Sequence, residues 1–311
     1  MSCPPVLIIA FNRPETTKRV LKAVREARPS RLFLACDAPR PNRLEEAKRV
    51  AEVRALVDLV DWPCEVHTRF AEKNLGCAVG VSSAITWFLN EVGEGIILED
   101  DCLPTPAFFR FCSVMLDRYR HDERVGVIAG SNMAPLVTLP DAYGFSRIFS
   151  CWGWATWLRT WKNYQLQPQP VEVHEPAMDG LHPNAVKFLN KISRKITQGG
   201  VHTWDYQLLI QLLRARQFTI IPRDNLVLNI GFDGDGAHYT KKSGRPWSAP
   251  AFAFNPDTLW EESSPLECCE LYDQHFLASA HRGSSKLYRQ ILKWRVLWHR
   301  KFSSPPAFLF D

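Results

Sequence analysis

A chain of 311 residues with 46% apolar and 23% charged residues has ordinary globular composition, which excludes disorder as the default and allows a large core. A net charge of +5 permits an anionic substrate or membrane surface but, without a basic motif, argues against a nucleic-acid partner. No stretch approaches the roughly 20 apolar residues that span a bilayer, and no basic-then-apolar leader is visible. Nine cysteines without matched C-x-x-C pairs suit reduced thiols, so a cytoplasmic protein is expected.

Pro5 to Phe11 reads as a buried strand running into Asn12-Arg13-Pro14-Glu15. Val20, Leu21 and Val24 give the following stretch, Thr16 to Ala27, one apolar helical face. Arg31 to Cys36 is a second strand ending at Asp37, Leu44 to Leu59 a second helix, and Cys64 to Phe70 a third strand. This alternation predicts an α/β fold with a right-handed, mostly parallel sheet. There is no G-x-G-x-x-G after the first strand and no lysine phosphate loop, which disfavours dinucleotide and P-loop readings.

Asn74-Leu75-Gly76-Cys77 then leads to a helix over Val79 to Glu91, which delivers the chain to Gly95-Ile96-Ile97-Leu98-Glu99-Asp100-Asp101-Cys102. So short and β-branched a run reads as a buried strand. Its three acids then sit at the carboxyl end of a central strand, where open α/β sheets place ligands. Adjacent carboxylates repel unless a cation or donors compensate them, and their hard oxygens suit Mg²⁺ or Mn²⁺. The alternative is a solvated acidic turn before a helix at Pro106, capped by Thr105. That helix extends to Arg120, and Val125 to Ala129 is a further strand.

The second half differs in texture. Trp152, Trp154, Trp157 and Trp161 crowd one short segment. Trp154, Trp157 and Trp161 have helical spacing that would suit a core, but flat apolar faces with polar edges also suit a sugar-binding wall. A helical stretch through Ile196 precedes Gly199-Gly200-Val201-His202-Thr203-Trp204-Asp205, which opens a helix over Leu208 to Arg216. An Asp in a first turn is also a plain dipole-compatible choice. Short strands at Phe218–Pro222 and Leu226–Leu228 follow, then a glycine-rich loop from Asn229 to His238. Residues 284–302 interleave basic and aromatic side chains as an amphipathic helix, which suits peripheral contact with an anionic membrane or docking on its own domain.

Taken together and in order, Ala10-Phe11-Asn12-Arg13-Pro14-Glu15, Asn74-Leu75-Gly76-Cys77, Leu98-Glu99-Asp100-Asp101-Cys102, Trp152-Gly153-Trp154-Ala155-Thr156-Trp157, Thr203-Trp204-Asp205-Tyr206-Gln207 and Asn229-Ile230-Gly231-Phe232 with His238 resemble GT-A nucleotide-diphospho-sugar transferases. The likeness is to bacterial enzymes similar to family 2 glycosyltransferases and to N-acetylglucosaminyltransferase I, and it extends over most of residues 5–240. It implies a GT-A catalytic domain over 1–240, with a nucleotide-binding half to about residue 130 and an acceptor half beyond, and a C-terminal extension over 241–311. The activity implied is a metal-dependent, inverting transfer from a nucleotide-sugar donor, a UDP-sugar favoured, to a saccharide, lipid-linked or protein acceptor.

Roles follow from the resemblance residue by residue. Asp101 would hold Mn²⁺ or Mg²⁺ on the diphosphate, with His238 as a late ligand. Glu99, Asp100, Asn74 and Trp154 would line the donor site, Asp37 would accept from the uracil imide, and Phe11 and Arg13 would lie near the base. Asp205 would be the general base. The acid triplet is Glu-Asp-Asp where the family carries D-x-D. A nucleotidyltransferase would want a glycine-rich basic loop after the first strand, and a non-catalytic carbohydrate-binding module would have no need of the acids with Asp205 and His238.

Overall fold

The computed structural model describes residues 2–134, 139, 141–172, 174–181, 183–231, 266–273 and 276. His238, most of the glycine-rich loop and the 284–302 segment lie outside the described residues.

The first 130 residues fold as the alternation predicts. Strand β1 (Val6–Ala10), helix α1 (Pro14–Ala27), β2 (Arg31–Cys36), α2 (Leu44–Ala55), β3 (Glu65–Phe70), α3 (Gly76–Val92), β4 (Glu94–Glu99), a short β5 (Cys102–Pro104), α4 (Pro106–Arg118) and β6 (Val125–Ala129) follow in order. The second helix is shorter than expected because Leu56–Leu59 tightens into a 3₁₀ turn. Then come β7 (Tyr143–Ser146), β8 (Trp154–Trp157), the one-turn α5 (Leu158–Trp161), α6 (Pro183–Thr197), α7 (Asp205–Arg214), β9 (Phe218–Pro222) and β10 (Val227–Asn229).

Eight strands make one sheet in the order β3-β2-β1-β4-β8-β6-β9-β7, while β10 and β5 form a separate antiparallel pair. The β3-β2-β1-β4 half is parallel throughout, and β8 enters antiparallel between β4 and β6. The expected mixed, mostly parallel sheet flanked by helices is therefore the observed fold. The side-chain period of two sorts the core. Leu7 and Ile9 of β1 face the layer built by α3 and α7, whereas Val6 and Ile8 face α1, α2 and α4. Covered on both faces, β1, β4 and β6 read as unbroken apolar runs.

The tryptophan spacing misleads for the same reason. Trp154–Trp157 is not a helix but a strand buried on both faces, and only Leu158–Trp161 makes a helical turn. Trp154 is wholly buried, stacked on Trp204 with ring centroids 5.6 Å apart, and its indole N–H has no partner among the described residues. Burying such a ring contributes a few kcal/mol of apolar transfer. Trp154 is thus a core residue in this structure, without a face open to a donor. Thr105 does sit at the N-cap of α4, but its hydroxyl donates to the Leu226 carbonyl at 3.0 Å rather than capping the helix.

The far edge of the sheet is covered by a return of the chain. Cys268 bridges to Phe145 of β7, the Cys269 N–H donates to the Phe145 carbonyl at 2.8 Å, and fully buried Tyr272 accepts from the Met133 N–H at 2.9 Å. Asp273 accepts from the Ser146 hydroxyl and the Arg147 N–H. Part of the 241–311 extension therefore packs against β7 of the main sheet. All nine cysteines are free, and no helix among the described residues is long and apolar enough to cross a membrane.

A buried acid fastens the other side of the sheet. Glu46 of α2, 3% exposed, accepts from the Arg40 N–H and Nε and from Asn12 Nδ2. The Arg40 hydrogen bonds hold its carboxyl down, from 4.5 to about 2, against burial. A depressed folded value means stability present above the ordinary Glu range and lost as pH falls toward about 2. Glu46→Gln should lower stability at pH 7 and lose much of that difference by pH 3, measured as denaturation midpoints at the two pH values.

Candidate active site

Three strand ends meet at one edge. The sheet runs outward from β1 to β2 and β3 on one side and to β4 on the other, so β1 and β4 flank a topological switch point. Register places Ile9 of β1 beside Glu99 of β4. Phe11 and Arg13 leave the end of β1, Asp37 the end of β2, and Glu99-Asp100-Asp101 the end of β4.

The acid triplet is compensated from β1. The Phe11 N–H donates to Asp100 Oδ2 at 3.1 Å, and Arg13 Nη1 donates to Asp101 Oδ2 at 2.8 Å and to Asp100 Oδ1 at 3.3 Å. Arg13 is thus paired with the acids at this edge of the sheet. Burial, then the charges of Asp101, Asp100 and Asp205, push the Glu99 carboxyl well above the usual range. Burial and then Asp101 push Asp100 up, opposed by Arg13 and the Phe11 N–H. Like charges held together with one guanidinium are what a cation-binding or anion-exchanging site requires.

Asp205 belongs to the same electrostatic site although it is far along the chain. Beyond burial, which is the largest cause, its charge raises the thiol of Cys151 and the phenol of Tyr164, and with Glu99 it raises Cys77. It opens α7, where Trp204 holds the N-cap position without a side-chain cap bond. The Asp205 carboxylate accepts instead from the Thr203 hydroxyl. Its setting is fixed by neighbours: the Tyr164 hydroxyl donates to the Trp204 carbonyl at 3.1 Å, and the Gln207 amide donates to Leu166 and Thr203 carbonyls.

Asp37 is differently employed. Its carboxylate accepts from the backbone N–H groups of Ala38, Leu75 and Gly76 and from Asn74 Nδ2, at 2.8 to 3.2 Å. The Asn74 amide also donates to the Ala38 carbonyl at 2.7 Å. These donors fill the acceptor capacity of a carboxylate and set it on the N-terminus of α3, a position that favours an anion. In place of the expected base contact, Asp37 and Asn74 clamp the end of β2 to the start of α3. Gly76, at φ +73°, supplies the turn that aims those N–H groups.

The sequence placed Gly231 in a glycine-rich loop and its motif, without a contact of its own. The Ile230 N–H donates to the Asp101 carbonyl at 2.8 Å, which carries the start of the glycine-rich loop past the acids. A Cβ on Gly231 would stand 2.2 Å from Asp101 Oδ2, so only glycine fits against that carboxylate. The signal was the glycine density itself. Its long-range target was not visible.

Among the described residues, no three His, Cys, Asp or Glu side chains already converge on one point as a metal cluster would. The donor chemistry still fits a hard divalent cation: adjacent carboxylates supply hard oxygens, and an Arg13 guanidinium already stands among them as a cation.

No family model matches the chain, and no curated protein matches it. Among solved structures, it is similar to a mannosyltransferase from Pyrobaculum calidifontis in complex with GDP-Man and Mn2+, at 16% identity and a TM-score of 0.34. That likeness covers 64% of this chain and 54% of the other, so the chain matches about half the length of that protein. Mouse xyloside xylosyltransferase 1 is similar at 13% identity and a TM-score of 0.35, over 68% of this chain and 81% of that one. A UDP-glucose pyrophosphorylase is similar at 6% identity and a TM-score of 0.31, over 68% and 96%. Superpositions this loose carry no argument about chemistry, which rests on the chain's own residues.

Proposed function

We propose that the protein is a GT-A glycosyltransferase that moves a sugar from a nucleotide-diphosphate donor to an acceptor hydroxyl with inversion. The observation that carries this reading is Glu99-Asp100-Asp101 at the β4 end of the switch point, compensated by Arg13 and with the Asp205 charge acting on Glu99. Carboxylates from two separate parts of the chain, one set paired with a guanidinium and the other accepting from a hydroxyl, suit two tasks at one centre.

Asp101 and Asp100 would hold Mn²⁺ or Mg²⁺. When bound, the ion supplies charge neutralisation at the donor diphosphate. Asp205 takes the proton of the acceptor hydroxyl as it attacks the anomeric carbon, a contribution of about 10²–10⁴-fold. The Thr203 hydroxyl holds that carboxylate in one orientation. Trp204 and Trp154, stacked in the core, make the floor beneath it rigid. Phe11, at the end of β1, carries the Arg40 guanidinium 6.0 Å over its ring and offers an aromatic face at the nucleotide side.

The reading is tested by incubating the protein with UDP-, GDP- and CDP-sugars and Mn²⁺ and following release of free sugar and nucleoside diphosphate. Slow hydrolysis of one donor class, abolished by EDTA, is expected. Pyrophosphate-dependent formation of nucleoside triphosphate would instead identify a nucleotidyltransferase.

A further inference from the structure

The partners of Asp100 and Asp101 are unequal. Asp100 is 8% exposed and keeps a backbone donor, the Phe11 N–H, in addition to Arg13. Among the described residues, Asp101 has Arg13 at 2.8 Å as its strong partner and otherwise only the weak thiol donor of Cys102 at 3.6 Å. Gly231 is pressed against the same Asp101 oxygen that Arg13 holds.

The Arg13 backbone is anchored independently of its side chain. Its carbonyl accepts from the Thr16 and Thr17 hydroxyls at 3.2 and 2.6 Å and from the Thr17 N–H at 3.0 Å, at the start of α1. Pro14 follows in the first turn of that helix. The guanidinium can therefore leave the acids by side-chain rotation with α1 in place. Asp100 would keep its backbone donor, and Asp101 would be freed.

A guanidinium and a divalent ion cannot share one carboxylate oxygen at contact distance without strong repulsion. We infer that Arg13 is an exchangeable counter-cation of this site: it occupies Asp101 in the metal-free protein, and a divalent cation binds only as Arg13 leaves. This rests on the reading of Asp101 as the metal-holding acid. It makes Arg13 a positioning residue that keeps the acids paired until donor and metal arrive. The freed guanidinium is a planar fork suited to phosphate oxygens, and so is available to an incoming diphosphate.

The test reads metal binding, not turnover. Mn²⁺ affinity of the nucleotide-free protein is measured by electron paramagnetic resonance for wild type, Arg13→Met and Arg13→Lys. Removing the resident charge should tighten Mn²⁺ binding about tenfold or more, whereas Arg13→Lys, which keeps the charge, should stay near wild type. Equal or weaker binding by the Met variant overturns the inference, as does failure of all three proteins to bind Mn²⁺. Should the Met variant misfold, wild type alone decides. The Arg13 Nε–H resonance should move as Mg²⁺ is added, and a resonance that stays fixed while Mg²⁺ binds refutes the exchange. Failure of the transferase reading is distinguishable, because tightened Mn²⁺ binding with no nucleotide-sugar hydrolysis in any variant would leave the exchange standing.

Discussion

Asp101→Asn is expected to reduce nucleotide-sugar turnover about 100-fold or more and to weaken the Mn²⁺ requirement, while the fold survives. Loss of a shell that merely orients metal ligands already costs about 10–100-fold, and Asn removes an anionic ligand outright. The fold should tolerate the change. The Asp101 and Arg13 side chains are only 19% and 20% exposed, so the pair is largely desolvated, but without the Asp101 charge Arg13 still has Asp100 at 3.3 Å as its counter-ion. Asn keeps an oxygen that can accept from Arg13, and removing the Asp101 charge relieves Glu99 and Asp100, both of which it pushes up. Melting temperature at pH 7 should therefore stay level or rise slightly. Wild-type turnover by Asp101→Asn, or turnover that persists in EDTA, would remove Asp101 from the metal role.

What the sequence made legible was whatever is local. Buried strands announce themselves as apolar runs, so β1, β2, β4, β6 and β9 stand within a residue or two of their expected places. The acids at the end of β4 were legible because a short apolar run ending in three carboxylates has few physical readings. The Trp154–Trp157 strand was not, because a strand covered on both faces has no alternation to distinguish it from a helix, and its tryptophans fell by coincidence at helical intervals.

The contacts of the site residues that sequence reasoning did not foresee share one cause: the partners are remote in sequence. Asp37 meets Leu75 and Gly76 across nearly forty positions, and Arg13 meets Asp100 and Asp101 across nearly ninety. No period or propensity encodes such pairs, since they arise only when β1, β2 and β4 end at one edge. The return of Tyr272 and Asp273 to β7 is of the same kind. Asp205 reached the acid site in the sequence reading through a resemblance, and its charge is among those that raise the Glu99 carboxyl.

Asp205→Asn is expected to lower kcat about 100-fold or more with donor affinity near wild type. The substitution is unusually clean. The carboxylate accepts from the Thr203 hydroxyl and makes no helix-capping bond, so an Asn oxygen can keep the same contact while losing the charge and the basicity. The surrounding frame of Tyr164, Trp204 and Gln207 does not depend on that charge for its hydrogen bonds. Were Asp205 only a helix-terminal acid, Asn would serve about as well there, and the rate would hardly change. Donor binding is read separately, as the thermal shift produced by nucleotide sugar with Mn²⁺, because the acids proposed to hold the metal follow β4 and not α7. A stereochemical reading completes the experiment: a base placed opposite the diphosphate delivers the acceptor oxygen with inversion at the anomeric carbon. Wild-type kcat in Asp205→Asn, or a product that retains the donor configuration, would remove Asp205 from the mechanism and leave the acid site of β4 without its proton acceptor.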